Sequence, residues 1–259
     1  MKGNGNIAFR EKERAVPVYR DRETPVVEEV ERVETVAAAR PAVETHISLQ
    51  PVAAPMILGL YSLASGVFVL GSVLLGWFDG NNDPVGLFPL IGLFAGLAQL
   101  LAGMWAYRAR DGLGTILHGF WGSLWLAYGV GNLLFALGAL PAPVAELGEF
   151  GMWLMIASAI TLVATVAAAA RSLVLTITLG VLTIGSILAT IGYLIDGTGL
   201  ITAGAIGFVA AGVLAWYMAS SLLLNGAFER RILPLGRSRN YHGYDVVRGY
   251  GEPGVTPYE

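Results

Sequence analysis

Apolar residues run almost without interruption from about 47 to 228, and the charged or turn-forming clusters within that stretch are short. Cutting at those clusters leaves six apolar segments, at about 56–78, 85–107, 113–137, 150–170, 173–195 and 200–224. A bilayer core of about 30 Å takes roughly 20 residues of helix, so each segment is a spanning length. The runs do not alternate in polarity and are about twice too long for the strands of a membrane barrel. The breaks read DGNNDP, RARDG, PAPVAELGE, the single Arg171 and DGTG, short enough to join antiparallel neighbours. The pattern predicts an all-α integral membrane protein, a compact bundle of six transmembrane helices.

The flanks differ in kind from this domain. Residues 1–46 are polar and carry charges of both signs, predicting a mostly disordered tail with a short helix near 25–40. There Thr24 caps, Pro25 takes the first position, Glu28 and Glu29 follow, and Arg40-Pro41 ends the run. Residues 229–259 form an Arg-, Gly- and Tyr-rich tail. The start, MKGNGNIAFREKER, has no apolar stretch behind its basic residues and so no cleavable signal pattern.

Charge sets the expected orientation. Between the tails the basic residues are Arg108, Arg110 and Arg171, all in the second and fourth loops, while Asp79, Asp83, Glu146, Glu149 and Asp196 occupy the other three. Basic loops stay in the cytoplasm, so both termini are expected there, in a multi-pass protein of the plasma membrane. Only 14% of the 259 residues are charged, against about 25% in soluble domains. Thirty-four glycines suit close helix approach in lipid, and the absence of Cys excludes disulfides and thiolate chemistry.

Away from their ends the six segments contain no Asp, Glu, Lys or Arg. A charge at mid-bilayer costs at least about 2.5 kcal/mol, and ion pumps and proton relays retain such groups because they use them. The interior therefore argues against a pump, a carboxylate-lined cation channel or an enzyme, and suggests neither cofactor, metal nor nucleic acid. Gln99, His118 and Asn132 are the candidate polar lining. His118 reads as a proton acceptor or weak anion attractant at the inner mouth, or as an interfacial imidazole bonded to a loop carbonyl. Gln99 and Asn132 read equally as pore lining or interhelical glue. Gly92 and Gly96 make a close-packing GxxxG. Trp121 and Trp125, one turn apart, share a helix face as packing, lipid contact or an aromatic constriction.

The stretch Gly92-LFAGLAQLLAGMWAYRARDGLGTILHGFWGSLW resembles the acetate uptake transporters, also called succinate–acetate permeases. Gln99, Ala102-Gly103, Tyr107, Gly114 and Gly122-Ser123-Leu124-Trp125 carry the likeness, with Asn225-GAFERRILPLG after the last helix as second anchor. The family's Asn-Pro-Ala-Pro-Leu-Gly signature is reduced to Gln50-PVAAPMILG, the Glu ending helix two is Ala106, and the loop's Gly-Asn-Thr is Arg110-Asp111-Gly112. The resemblance implies a pore narrowed by Trp121, Leu182 and either Tyr61 or Leu63, in a homo-oligomer of six protomers. It also implies a transporter or channel for acetate or a related small monocarboxylate, moved with a proton or as the anion. The degraded signature and long tails point to the alternative, a non-transporting membrane scaffold or accessory subunit.

Overall fold

The computed structural model describes residues 53–78 and 86–236. The tail helix expected near 25–40, the Asp79–Asp83 loop and the chain beyond 236 lie outside the described residues.

The described chain forms six long helices: α1 Pro55–Leu74, α2 Leu87–Arg108, α3 Gly112–Ala136, α4 Phe150–Ala168, α5 Leu173–Leu194 and α6 Thr198–Ala227. Their ends have local causes. Pro55 opens α1, where its missing N–H costs nothing. Asp111 caps α3 by accepting from the Gly114 N–H at 3.1 Å, and Ser172 caps α5. α1 stops at Leu74, short of the expected Phe78, and the chain turns through Gly76 at φ 70°. α2 is irregular: Ile91–Ala98 is wound as a π-helix and gives way to α-helix at Gln99.

Five of the helices are long and apolar enough to cross a membrane. The sixth is α3, whose 25 residues reach about 37 Å at 1.5 Å each. It contains no Asp, Glu, Lys or Arg but buries His118, Trp121, Trp125, Tyr128 and Asn132, which lower its hydropathy. α3 thus brings two buried polar side chains, His118 and Asn132, and three large aromatics with a polar atom into the interior.

Each helix packs on the next in sequence, and α6 closes back onto α1. α3 also reaches across to α1. Glycine makes the α2–α3 contact this close. A Cβ on Gly129 would lie 2.6 Å from the Gly92 Cα, and one on Gly96 would lie 2.8 Å from the Leu126 nitrogen. One on Gly103 would lie 2.5 Å from the Gly119 nitrogen. The GxxxG pair Gly92/Gly96 is therefore part of a backbone-to-backbone seam of the kind small residues permit in lipid. Outward, the bundle presents large apolar side chains such as Leu93, Ile156, Val163, Ile184 and Trp216.

The alternating helices put Arg108, Arg110, Arg171, Arg230 and Arg231 at one end of the bundle, here called the basic end. Glu146, Glu149 and Asp196 lie at the other. At the basic end Arg171 and Asp111 form an ion pair of 2.7 Å that ties the second and fourth loops. The chain after α6 then folds back as a strap. Asn225 Oδ1 accepts from the N–H groups of Ile232 at 2.6 Å and Leu233 at 3.0 Å, and its Nδ2 donates to the Leu233 carbonyl at 2.9 Å. The Leu235 and Gly236 carbonyls accept from the first N–H groups of α5, at Val174 (3.2 Å) and Leu173 (3.0 Å). Those groups have no partner inside their own helix. Gly236 turns at φ 63° with Leu173 pressed against it.

Candidate functional site: a buried aromatic and polar column

α3 positions the site. His118, Trp121, Trp125 and Tyr128 fall at spacings of three and four along one helical face, and all are wholly buried. The Trp121 and Trp125 rings are 5.5 Å apart, Trp125 and Tyr128 6.1 Å, and Tyr128 and Phe150 of α4 5.7 Å. Phe150 continues to Tyr193 of α5 at 5.8 Å, so the column runs from mid-bundle to the end opposite the basic one. α1 makes room with two glycines. A Cβ on Gly59 would overlap the His118 imidazole, and one on Gly66 would overlap the Trp125 indole.

The buried polar atoms of the bundle interior are of two sorts. Some are spent on the fold. Trp121 Nε1 donates to Thr161 Oγ1 at 3.1 Å. Asn132 Nδ2 donates to the Tyr128 carbonyl at 2.9 Å and its Oδ1 accepts from the Val144 N–H at 3.1 Å, pinning the loop before α4. Others are buried with no hydrogen-bond partner: Ser62 Oγ, Gln99 Oε1, Trp125 Nε1, Tyr128 OH and Ser186 Oγ. Serines on membrane helices commonly return their hydroxyl to the carbonyl four residues back, as Ser65 and Ser72 do. Ser62 and Ser186 do not. Burying an unbonded hydroxyl or N–H costs roughly 1–3 kcal/mol, so five such groups in one interior call for an explanation.

The residues singled out from sequence separate accordingly. Trp121, Leu63 and Leu182 are all buried in the core. Tyr61 is half-buried, its hydroxyl 2.9 Å from Ser220 Oγ of α6. It lines an apolar groove of about 670 Å³ on the outside of α1, α2 and α6 with Phe68, Phe94 and Trp216. His118 makes no bond to a loop carbonyl. Its Nδ1 lies 3.5 Å from Gln99 Nε2 and its Nε2 lies 3.0 Å from Met56 Sδ. Sequence reasoning missed Ser62, Tyr128, Ser186 and Thr161. Nothing in the sequence separates Ser62 from Ser65, three positions on, or Thr161 from Thr165 of the same helix.

The GPR1/FUN34/yaaH family model matches residues 37–233 of the chain. The succinate-acetate/proton symporter SatP of Escherichia coli K12 is 30% identical over 187 residues, covering 71% of this chain and 95% of the symporter. The symporter of the same name from Shigella flexneri matches to the same extent. In three dimensions the chain superposes on a bacterial acetate channel, SatP, with a TM-score of 0.64 and 26% identity, over 71% of this chain and 99% of the channel.

Proposed function

This chain belongs to the GPR1/FUN34/yaaH family of multi-pass membrane proteins, and from that premise we propose that it carries acetate or a related small monocarboxylate across the plasma membrane, along the buried column. The observation that carries the reading is the set of unpaired hydroxyl and N–H groups, chiefly Trp125 Nε1, Tyr128 OH, Ser62 Oγ and Ser186 Oγ, in an interior without fixed charge. A carboxylate leaving water needs donors, and these are donors whose own needs are unmet. A fixed Lys or Arg would hold the anion too tightly to release it, whereas neutral donors bind weakly and let go. Trp121, Leu63 and Leu182 serve as the constriction, with the aromatic column on its far side.

The working unit is a ring of six copies, each with its own path. This rests on the family resemblance, and the apolar groove beside Tyr61 and Trp216 offers a side-to-side contact surface. The basic end faces the cytoplasm, as the Arg distribution implies, with both termini on that side of the membrane. No enzymatic role is assigned: apart from Arg108 at the end of α2, the described spans hold no Asp, Glu, Lys or Arg.

Uptake of labelled acetate into proteoliposomes tests the function. Flux well above that of empty liposomes, with succinate competing poorly, is the expected result. Absence of any carboxylate flux would favour a non-transporting subunit. The chain has no Cys, so single cysteines report orientation through an impermeant maleimide. Gly148→Cys and Thr198→Cys, both exposed, should label in intact cells, and Ala170→Cys, exposed at the basic end, should not.

A further inference from the structure

Resting on the transport reading, we propose that His118 and Gln99 together form the site that binds the proton accompanying the carboxylate. His118 lies one turn from Trp121 on the basic-end side of the constriction and is completely buried. Both ring nitrogens face a partner, Gln99 Nε2 at 3.5 Å from Nδ1 and Met56 Sδ at 3.0 Å from Nε2. The ring cannot swing toward α1, because Gly59 is already in contact with it. Fixed in place, the imidazole has one variable neighbour, the Gln99 amide, whose Oε1 is buried without a hydrogen bond.

That unpaired oxygen is what makes the pair two-sided. In the neutral ring Nδ1 carries no proton and accepts from the Gln99 N–H, while Nε2–H donates to the weakly accepting sulfur. When Nδ1 takes up a proton it becomes a donor. A half-turn of the Gln99 amide then presents Oε1 to it, so one side chain serves both protonation states. Gln99 sits where the π-wound stretch of α2 gives way to α-helix.

The neighbours leave the imidazolium dependent on the passing anion. α1 faces it with Met56 and Gly59, and α2 with Gln99, Ala102 and Gly103, none of them charged. The buried positions of α4, α5 and α6 hold no charged side chain. On its own helix the nearest charge is Asp111, two turns away at the cap and already paired with Arg171. A buried cation without a counter-ion is costly, and a carboxylate beside it removes most of that cost. Proton and carboxylate therefore bind each better when the other is present, by the same factor in both directions. The imidazole stays in place: it takes its proton from water on the side where the carboxylate enters, and with both released on the other side a turnover moves no net charge. On release the carboxylate departs to water and the imidazolium returns its proton to water on the same side.

The test uses the full chain in liposomes with acetate as the probe, under an imposed pH gradient. Wild type should accumulate labelled acetate against its own gradient, with protons entering the lumen. H118Q should let acetate run only downhill, with gradient-driven accumulation reduced about tenfold and a flattened pH profile. Gln99→Leu keeps the imidazole but removes its acceptor, and should move half-maximal flux to lower pH. A transporting wild type whose H118Q variant accumulates acetate equally, with the same pH profile, overturns this inference and leaves the transport reading standing. A wild type that carries no acetate overturns both. Should H118Q fail to fold, imidazole NMR on the H46N/H242N double variant, in which His118 is the sole histidine, decides the matter. Acetate should raise the protonated fraction of His118 at fixed pH, and an acetate-independent titration refutes the proposal.

Discussion

Asn225 and Tyr128 are both buried polar side chains on apolar helices, and the protein treats them in opposite ways. Around Asn225 nothing is left over: its amide, Ser221, Tyr217 and Ser172 between them bond the backbone of Ile232 to Leu235, and the strap in turn caps α5. At Tyr128 the phenol hydroxyl and the indole N–H of neighbouring Trp125 are buried without partners. The residue types are alike, and so is the burial. What differs is that the strap is polar backbone held by polar side chains, whereas the column offers its polar side chains no such backbone partners. A satisfied network in a low-dielectric interior rigidifies a structure, and an unsatisfied one is a standing cost that a structural role does not explain. The strap ties the end of α6 to the start of α5, and the column leaves its donors unused.

Several substitutions break or sharpen that contrast. The largest effect belongs to Trp121→Ala, which empties the most crowded point of the column and should cost about 3–5 kcal/mol of stability. Carboxylate uptake should nevertheless widen in range, admitting succinate. A variant that stays as selective as wild type would remove Trp121 from the constriction. Next, Asn225→Leu deprives the Ile232 and Leu233 N–H groups of their acceptor and should lose about 3 kcal/mol. Thermal unfolding in detergent should show that loss, with proteolysis opening the chain near the strap first. A melting point equal to that of wild type would contradict the strap's structural role.

Smaller changes probe the two sorts of group within the column itself. Thr161→Val removes the acceptor of the Trp121 N–H and should lower stability by about 1 kcal/mol. Its effect on flux should be minor. Trp125→Phe removes an N–H that bonds nothing, so stability should change by about 1 kcal/mol or less. Acetate flux should still fall about fivefold, the worth of one donor offered to the anion. If Thr161→Val and Trp125→Phe prove alike in both measurements, the division into spent and free groups is wrong.

How much of this was legible beforehand depends on the kind of signal. Six apolar stretches bounded by charges and turn residues predict six helices, because lipid leaves a backbone few other ways to satisfy its hydrogen bonds. Gly92 and Gly96 were readable as a packing face, though not the partners Leu126 and Gly129 that make them one. The resemblance singled out Asn225 and the Leu-Pro-Leu-Gly that follows without giving either a task. The strap's bonds to Ser172 and the start of α5 span some sixty positions of chain. Tyr61 and Leu63 stood as alternatives for one place; two residues apart on a helix they face different ways. The fold turned Tyr61 to the outer groove and Leu63 to the core.

Amino-acid order alone makes the chain a membrane bundle, sets where its helices run and leaves their interior without fixed charge. Those properties follow from composition and spacing in a lipid solvent, which act on each segment separately. Which polar groups are spent and which are left over is settled by packing. Trp121 and Trp125 are the same residue on the same face of one helix. One N–H is taken by Thr161 of α4, and the other meets no acceptor beside the glycine surface of α1. Whether a buried donor is structural or available is a property of what lies opposite it, and that is fixed only when distant segments of the chain are brought together.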